Sequence, residues 1–341
     1  MNATLARVPV LLLEPHSRCN CRCVMCDIWK RTDAREIGES ELARHIEDIL
    51  RLGVEWIVFT GGEPLMHSDL FRLAAPLRAR GIRITLLSTG LLLARDAARI
   101  VESIDEAIVS LDGPREIHDQ IRRVPGAFDR MAEGTASIHR LSPAYPVSAR
   151  STVQARNASH LRATVAAARS AGLRSISFLA ADLESTAFDR AVVWPPARQT
   201  EIAPGLSALE REMESLIAEY PADGFILEPP EKLRRIVSHF RAYYGLEPHT
   251  APRCNAPWVS AVWEANGDVR PCFFHPPVGN TASATLAQVV NGPAAVAFRE
   301  NLSVVENPVC RRCVCSLYLA DTPQRYPDEA HADHIPLTAD R

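Results

Sequence analysis

The chain has 341 residues, a formal net charge of −3, 23% charged residues and 47% hydrophobic ones. That length accommodates one large domain and a smaller one, and the ordinary composition excludes a disordered or fibrous class. No basic block points to nucleic acid or an anionic membrane, so neither is an expected partner. No apolar stretch reaches the roughly 18 residues of a transmembrane helix. The N-terminal segment MNATLARVPVLLLEPHSRC reads as the lead into a first strand rather than as a secretory signal. The expected location is therefore the cytoplasm. There thiols stay reduced, and the nine cysteines point to metal ligation or redox chemistry rather than to disulfides.

An apolar run at 8–13 leads into residues 19–26, Cys-Asn-Cys-Arg-Cys-Val-Met-Cys, which hold four of the nine cysteines. The spacing Cys19-x3-Cys23-x2-Cys26 lets three thiolates converge on one face of a short loop, with Cys21 left as a bystander. A structural zinc ion wants four protein ligands. An iron–sulfur cube held three times leaves one iron open to a ligand.

Residues 38–52 have helical periodicity, with Ser40 as N-cap and Gly53 as the stop. The strand 54–60 ends at Gly61-Gly62-Glu63-Pro64. A helix over 68–80 precedes the strand 82–88, which ends in Thr89-Gly90. A helix over 92–103 precedes the strand 106–112, which ends at Asp112-Gly113-Pro114. Helix 126–141, strand 147–154 closed by Asn157, helix 159–171 and strand 174–179 complete the series.

About six β-α units imply a parallel sheet with right-handed crossovers and outer helices. The pattern is spent near residue 180, short of the about 250 residues of a closed eight-stranded barrel. The predicted fold class is therefore α/β, a partial (β/α)6 TIM-like barrel over 1–182. The cysteine loop, the Gly-Gly-Glu-Pro turn, Ser88-Thr89-Gly90, Asp112-Gly113-Pro114 and residues 154–157 all follow C-terminal strand ends, where α/β folds bind ligands.

Residues 183–250 form a predicted helical bridge, with a loop over 185–204 and helices near 205–219 and 229–243. A second small domain over 251–320 holds Cys254-x12-Gly267-x4-Cys272 and, after a gap, Cys310-x2-Cys313. Residues 258–263 and 269–274 read as a hairpin around Asn266-Gly267-Asp268, and antiparallel pairing would bring Cys254 and Cys272 together. Four cysteines in two pairs also suit structural zinc. Cys315 is left over as a substitute ligand for Cys313, a hydrogen-atom donor to a substrate radical, or a packed thiol. The tail 321–341 has no periodicity, and its His331 and His334 read as exposed.

Cys19-x3-Cys23-x2-Cys26 after one strand, with Gly61-Gly62-Glu63-Pro64 after the next, resembles the radical S-adenosylmethionine (radical SAM) enzymes over roughly residues 8 to 180. The resemblance implies a [4Fe–4S] cluster on Cys19, Cys23 and Cys26, whose open iron takes the amino and carboxylate groups of S-adenosylmethionine. One electron then cleaves the sulfonium to methionine and a 5′-deoxyadenosyl radical, which abstracts hydrogen from substrate. It places Met25 near the adenine, Gly61, Gly62, Glu63 and Pro64 at the methionine amino group, and Ser110 at ribose or substrate. Thr89 stands where many relatives have Asn. On the fifth strand Ser148, Arg150, Thr152 and Gln154 share a face, with Arg150 and Gln154 as further cofactor contacts and Arg150 facing the carboxylate.

The second cysteine group resembles the auxiliary-cluster domains of the same superfamily, called SPASM in full form and twitch when shortened. Cys254, Cys272, Cys310 and Cys313 would hold one auxiliary [4Fe–4S] cluster. The further cysteines of the full form do not follow, which favours twitch. The expected function is hydrogen abstraction from a small molecule, such as a sugar, aminocyclitol or natural-product intermediate, by an oxidoreductase whose auxiliary cluster accepts an electron. A reducing donor such as flavodoxin or ferredoxin would supply the first electron. The alternatives are a peptide maturase and a non-catalytic zinc scaffold. With the first cysteine at residue 19, no leader-peptide domain of about 80 residues fits before the barrel, which leans towards a small substrate.

Overall fold

The computed structural model describes residues 3–220 and 223–320. Six strands, β1 (Val10–His16), β2 (Trp56–Gly61), β3 (Arg83–Ser88), β4 (Glu106–Ser110), β5 (Val147–Val153) and β6 (Ile176–Ala180), lie side by side in chain order, each parallel to the next. Between them run α1 (Glu39–Arg51), α2 (Leu70–Arg78), α3 (Leu93–Ser103), α4 (Arg115–Arg122), α5 (Ala127–Leu141) and α6 (Leu161–Ser170). The order β6-β5-β4-β3-β2-β1-β7-β8-β9 is open at both ends, as a partial barrel requires.

The two faces of the parallel sheet differ. Ile57, Phe59, Ile84, Leu86, Val109 and Val147 are fully buried and join one apolar core with Leu42, Ile49, Leu77, Ile100 and Met131 of the helices. On the opposite face β4 and β5 alternate strictly, and Ser110, Ser148, Arg150 and Thr152 are half-buried. Parallel strands covered on both faces read as continuous apolar runs. The alternation therefore marks a polar hollow inside the curved sheet.

After β6 come α7 (Pro196–Ile202), α8 (Leu206–Glu219) and α9 (Pro230–Tyr243). The edge of β6 is covered, because Ile176 N–H donates to the Phe225 carbonyl (2.8 Å) and Leu227 N–H to the Ile176 carbonyl (2.9 Å). An uncovered edge would be open to another chain. The C-terminal part adds α10 (Ala256–Val259), β7 (Ser260–Trp263), β8 (Asp268–Arg270), β9 (Gly279–Asn280), α11 (Leu286–Val290), α12 (Pro293–Asn301) and α13 (Pro308–Arg311). β7 pairs in parallel with the free side of β1, from Val10 with Ser260 to Leu13 with Trp263. Both cysteine regions thus belong to one nine-stranded sheet.

Several expectations change. The hairpin is shorter than 258–263 and 269–274, because α10 takes the start of the first arm and β8 stops at Arg270. Gly38, not Ser40, is the N-cap of α1, without a side-chain bond. The stretch 185–204 is not all loop. Pro196 starts α7 at its first position, where the missing N–H costs nothing. α4 was not anticipated, since REIHDQIR carries few apolar residues. Its His118, Ile121 and Arg122 nevertheless face inward. The tail expectations for 321–341, including His331 and His334, lie outside the described residues.

Candidate functional site

The loop of residues 17–27 leaves β1 and is gripped from three sides. From α4, the carbonyls of Arg122 and Ile121 accept from the N–H groups of Arg22 and Val24, each at 3.0 Å. From the end of β2, Glu63 N–H donates to the Arg18 carbonyl at 2.8 Å. From a strap over residues 182–198, Arg190 Nη2 donates to the Met25 carbonyl (3.2 Å), Arg198 to the Val24 carbonyl, and Trp194 Nε1 to Asp27 Oδ2 (3.0 Å). The Arg190 guanidinium is itself buried, paired with Asp182 and stacked 3.7 Å over the Trp194 ring. A loop with its backbone groups so satisfied presents its side chains in one arrangement.

Cys19 and Cys26 are half-buried, while Cys21 and Cys23 are buried. Arg122, at the end of α4, reaches Cys23 Sγ through Nη1 (3.4 Å) and Asp112 Oδ2 through Nη2 (2.6 Å). A hydrogen bond from Cys21 and the charge of Arg122 pull the Cys23 thiol down to about 6 against the cost of burial. Cys21 hydrogen-bonds to both Cys19 and Cys23 and is pushed far up. Its backbone N–H also donates to Cys19 Sγ at 3.5 Å. Burial raises the Cys26 thiol.

The Gly-Gly-Glu-Pro turn locks the ends of β2 and β3 beneath this loop. The Glu63 carboxylate is fully buried and accepts from Leu65 N–H (3.0 Å), Ser88 Oγ–H (3.0 Å) and Thr89 N–H (2.6 Å). It is an internal strut, and burial raises its pKa. A Cβ at Gly62 would lie 2.1 Å from the Arg18 carbonyl oxygen, so the close backbone approach is to the cysteine loop itself. Pro64 opens a single 3-10 turn, Pro64–Met66. Thr89 Oγ1 donates to Asn20 Oδ1 at 2.9 Å, so the residue in place of the expected Asn contacts an Asn of the loop.

Along the rim, Ser110 is half-buried and pairs in register with Arg150. Arg150 donates through Nε to Ser177 Oγ (3.2 Å) and faces Glu228, whose carboxyl burial pushes up to about 7. Asn157 fastens the turn after β5, accepting from Gln154 N–H (2.8 Å) and donating to the carbonyls of Asp112 and Thr152 (both 3.0 Å). The Gln154 side chain is fully buried, yet neither its Oε1 nor its Nε2 has a partner. Each such orphan costs about 1–3 kcal/mol unless a ligand satisfies it. This fits a polar ligand bound over the strand ends. Met25 is buried, with its carbonyl already taken by Arg190.

Cys254, Cys272, Cys310 and Cys313 line one apolar hollow with Pro257, Phe274, Val304 and Val309. Asn307 caps α13, accepting from the N–H groups of Val309 (2.9 Å) and Cys310 (3.2 Å), which fixes Cys310 at the mouth of the turn. His275 Nε2 lies 3.4 Å from Cys310 Sγ. Burial pushes the Cys272 and Cys310 thiols up to about 12, and raises Cys254 and Cys313. Four soft sulfur donors with hydrocarbon walls fit an iron–sulfur cube. Cys315 is exposed; its carbonyl accepts from Cys313 Sγ at 3.0 Å, and its thiol lies near enough to Cys254 and Cys313 to help raise both.

Residues 13–173 match the model of the radical SAM superfamily, and residues 254–314 match that of the iron–sulfur cluster-binding domain called SPASM. The fold and the first cysteine loop thus define a radical SAM protein. More particularly, the chain belongs among those that add a SPASM domain. These two domains carry [4Fe–4S] clusters, and S-adenosylmethionine is the cofactor of the first.

Fe-coproporphyrin III synthase of Methanosarcina barkeri is 37% identical over 134 residues, 37% of this chain and 33% of that one. An AdoMet-dependent heme synthase of the same organism is 29% identical over 45% of each chain. The chain therefore spans less than half the length of these curated relatives. PqqA peptide cyclase of Ruegeria pomeroyi is 26% identical over 89% of this chain and 79% of its own. Among solved structures, Streptococcus suis SuiB bound to S-adenosylmethionine has a TM-score of 0.65 at 17% identity, covering 93% of this chain and 74% of SuiB. anSMEcpe with bound AdoMet and the Cp18Cys peptide has a TM-score of 0.61 at 18% identity, covering 89% and 87%. These structures show the shared fold. Among the described residues no helix is long and apolar enough to cross a membrane.

Proposed function

We propose that this radical SAM enzyme takes one hydrogen atom from a small organic substrate and completes an oxidation by releasing an electron and a proton from the resulting substrate radical. Cys19, Cys23 and Cys26 are assigned to the cluster that binds S-adenosylmethionine, and Cys254, Cys272, Cys310 and Cys313 to the auxiliary one. When bound, the first supplies the electron that breaks the sulfonium bond, and the second supplies an electron acceptor. Gln154, Ser110 and Arg150 are assigned to the cofactor along the rim. Met25 and the Gly61, Gly62, Glu63 and Pro64 turn are assigned to it as well, beside the loop they hold. A reducing compartment, the cytoplasm, suits nine free thiols. A flavodoxin- or ferredoxin-type protein is the proposed donor.

One observation carries this reading: the strap over 182–198 touches both cysteine regions. Its Phe188 carbonyl accepts from Asp27 N–H, beside Cys26 (3.2 Å), and its Phe188 ring packs 5.1 Å from Phe273, beside Cys272. Glu184 pairs with Arg312, beside Cys313 (3.5 Å). A substrate held under this strap would lie between the two centres. The 37% identity over 134 residues to Fe-coproporphyrin III synthase supports a small organic substrate. A peptide substrate is the second reading, supported by the alignment of PqqA peptide cyclase along most of the chain.

The test is anaerobic reconstitution followed by incubation with deuterated candidates of both kinds. The expected outcome is iron and sulfide near eight per chain, as two cubes require, and deuterium in the 5′-deoxyadenosine. Transfer from a labelled peptide alone would replace the first substrate reading by the second. A colourless protein with two zinc ions and no cleavage of S-adenosylmethionine would sink both.

A further inference from the structure

We propose that Glu14 and Glu264 form a substrate site for a protonated nitrogen, an alkylammonium or amidinium group, beside the strap that joins the two cysteine regions. The inference rests on the proposed function above, and it narrows the substrate class.

The two glutamates are neighbours by strand register. β1 and β7 pair as far as Leu13 with Trp263, so Glu14 and Glu264 follow side by side at the C-terminal ends of parallel strands. That is the end where such sheets bind ligands. Both are buried, at 7% and 6% exposure. Gly61, the first residue of the Gly-Gly-Glu-Pro turn, makes the room. A Cβ there would lie 2.8 Å from Glu14 Cβ.

The charged groups facing Glu14 are Glu264, Arg31, Arg270 and Asp189. Both guanidiniums are already engaged. Arg270 pairs with Glu264 and donates to the His275 carbonyl at 3.0 Å, and Arg31 pairs with Asp189. Three carboxyl groups thus meet two cations, which leaves one acid without a counter-charge. Glu264 Oε2 is buried and has no hydrogen-bond partner. Among the described residues no hydrogen bond is recorded for the Glu14 carboxyl either.

A buried carboxylate without a counter-charge is costly. Burial, and then the charge of Glu264, push the Glu14 carboxyl up to about 8, so it holds a proton at neutral pH. The ionised pair would offer acceptors and no donors. It suits a donor-rich cation and repels carboxylates and phosphates. Asp189 carries the site to the strap, where the Phe188, Phe273 and Phe274 rings pack together.

The experiment is anaerobic calorimetric titration of the cluster-loaded protein, with S-adenosylmethionine present, by n-butylammonium and by neutral n-butanol. An alkylammonium keeps its proton to about pH 10, so the pH profile reports on the protein. The cation is expected to bind at least about ten times more tightly than the alcohol. Its affinity should rise by up to about ten-fold per pH unit towards pH 8 and level off above, because binding displaces the Glu14 proton. Glu14→Gln should abolish the step and weaken binding about ten-fold. Glu264→Gln should weaken binding and move the step to lower pH. Equal binding of the alcohol to the wild-type protein, or an unchanged pH profile in Glu14→Gln, overturns the proposal. Uncoupled formation of 5′-deoxyadenosine by the wild-type protein with dithionite is read separately. Its absence would sink the radical reading, whereas its presence without cation binding sinks only this one.

Discussion

At the first cysteine group, charge and backbone hydrogen bonds do the holding. Arg122 reaches the sulfur of Cys23, while Arg190 and Arg198 take carbonyls of the same loop. At the second, the walls are Pro257, Phe274, Val304 and Val309, and burial raises all four thiols. The difference separates two ways of placing negative sulfur inside a protein. One gives a single sulfur, Cys23, a hydrogen bond from Cys21 and the charge of Arg122, while burial still raises Cys26. The other leaves neutral thiols in hydrocarbon and relies on the incoming iron for the charge.

The largest effects should divide the two groups by function. Replacing Cys19, Cys23 or Cys26 by Ala should abolish 5′-deoxyadenosine formation and lower iron from about eight to about four per chain. Alanine at Cys254, Cys272, Cys310 or Cys313 should give the same iron loss, keep cleavage and lose product. Wild-type product formation by all four variants would refute the electron-acceptor role.

Next comes the counter-charge. Arg122→Met strands Asp112 and should cost about 3–5 kcal/mol of unfolding free energy, much of it regained with Asp112→Asn. Loss of a cation beside Cys23 should also make the first cluster harder to reduce. Potentiometric EPR titration should show its potential falling while that of the second stays put.

Confined to a pH window is the effect of Glu14, which lies by the strap between the groups. Its folded value of about 8 exceeds the unfolded one, near 4.5. The folded chain therefore binds the extra proton. The stability this contributes is complete below pH 4.5 and is lost as pH rises through 8, by up to about 1.4 kcal/mol per unit. Denaturant titrations of Glu14→Gln should lack that slope. Smallest is Thr89→Val, which removes the bond to Asn20 and should cost about 1 kcal/mol, leaving the second cysteine group unchanged.

Both cysteine groups were legible as spacing, because a cluster demands sulfur at fixed intervals along short loops. The six strands were legible as periodicity. What escaped was long-range or charged. REIHDQIR looks like a solvated helix face, and only the fold shows Arg122 turned inward onto Cys23 and Asp112. Residues 185–204 read as a loop. Nothing local says that Arg190 and Trp194 close over the cysteines. Nor does anything local say that the Glu63 carboxylate is shared among Leu65, Ser88 and Thr89 beneath the loop. Glu14 sits in a run that looks like an ordinary strand end. Its neighbour Glu264 is remote in sequence, so the pair exists only through folding.

The pairing of β7 with β1 has a consequence for how the chain is made. Val10 emerges from the ribosome long before its partner Ser260, 250 positions further along the chain. Until then one side of the central strand keeps its N–H and carbonyl groups unpaired, and such an edge invites other chains. Contacts so remote in sequence also form slowly. A nascent chain paused before β7 should therefore need a chaperone more than the finished protein does, and a truncation ending at residue 250 should aggregate even though all six β-α units are present.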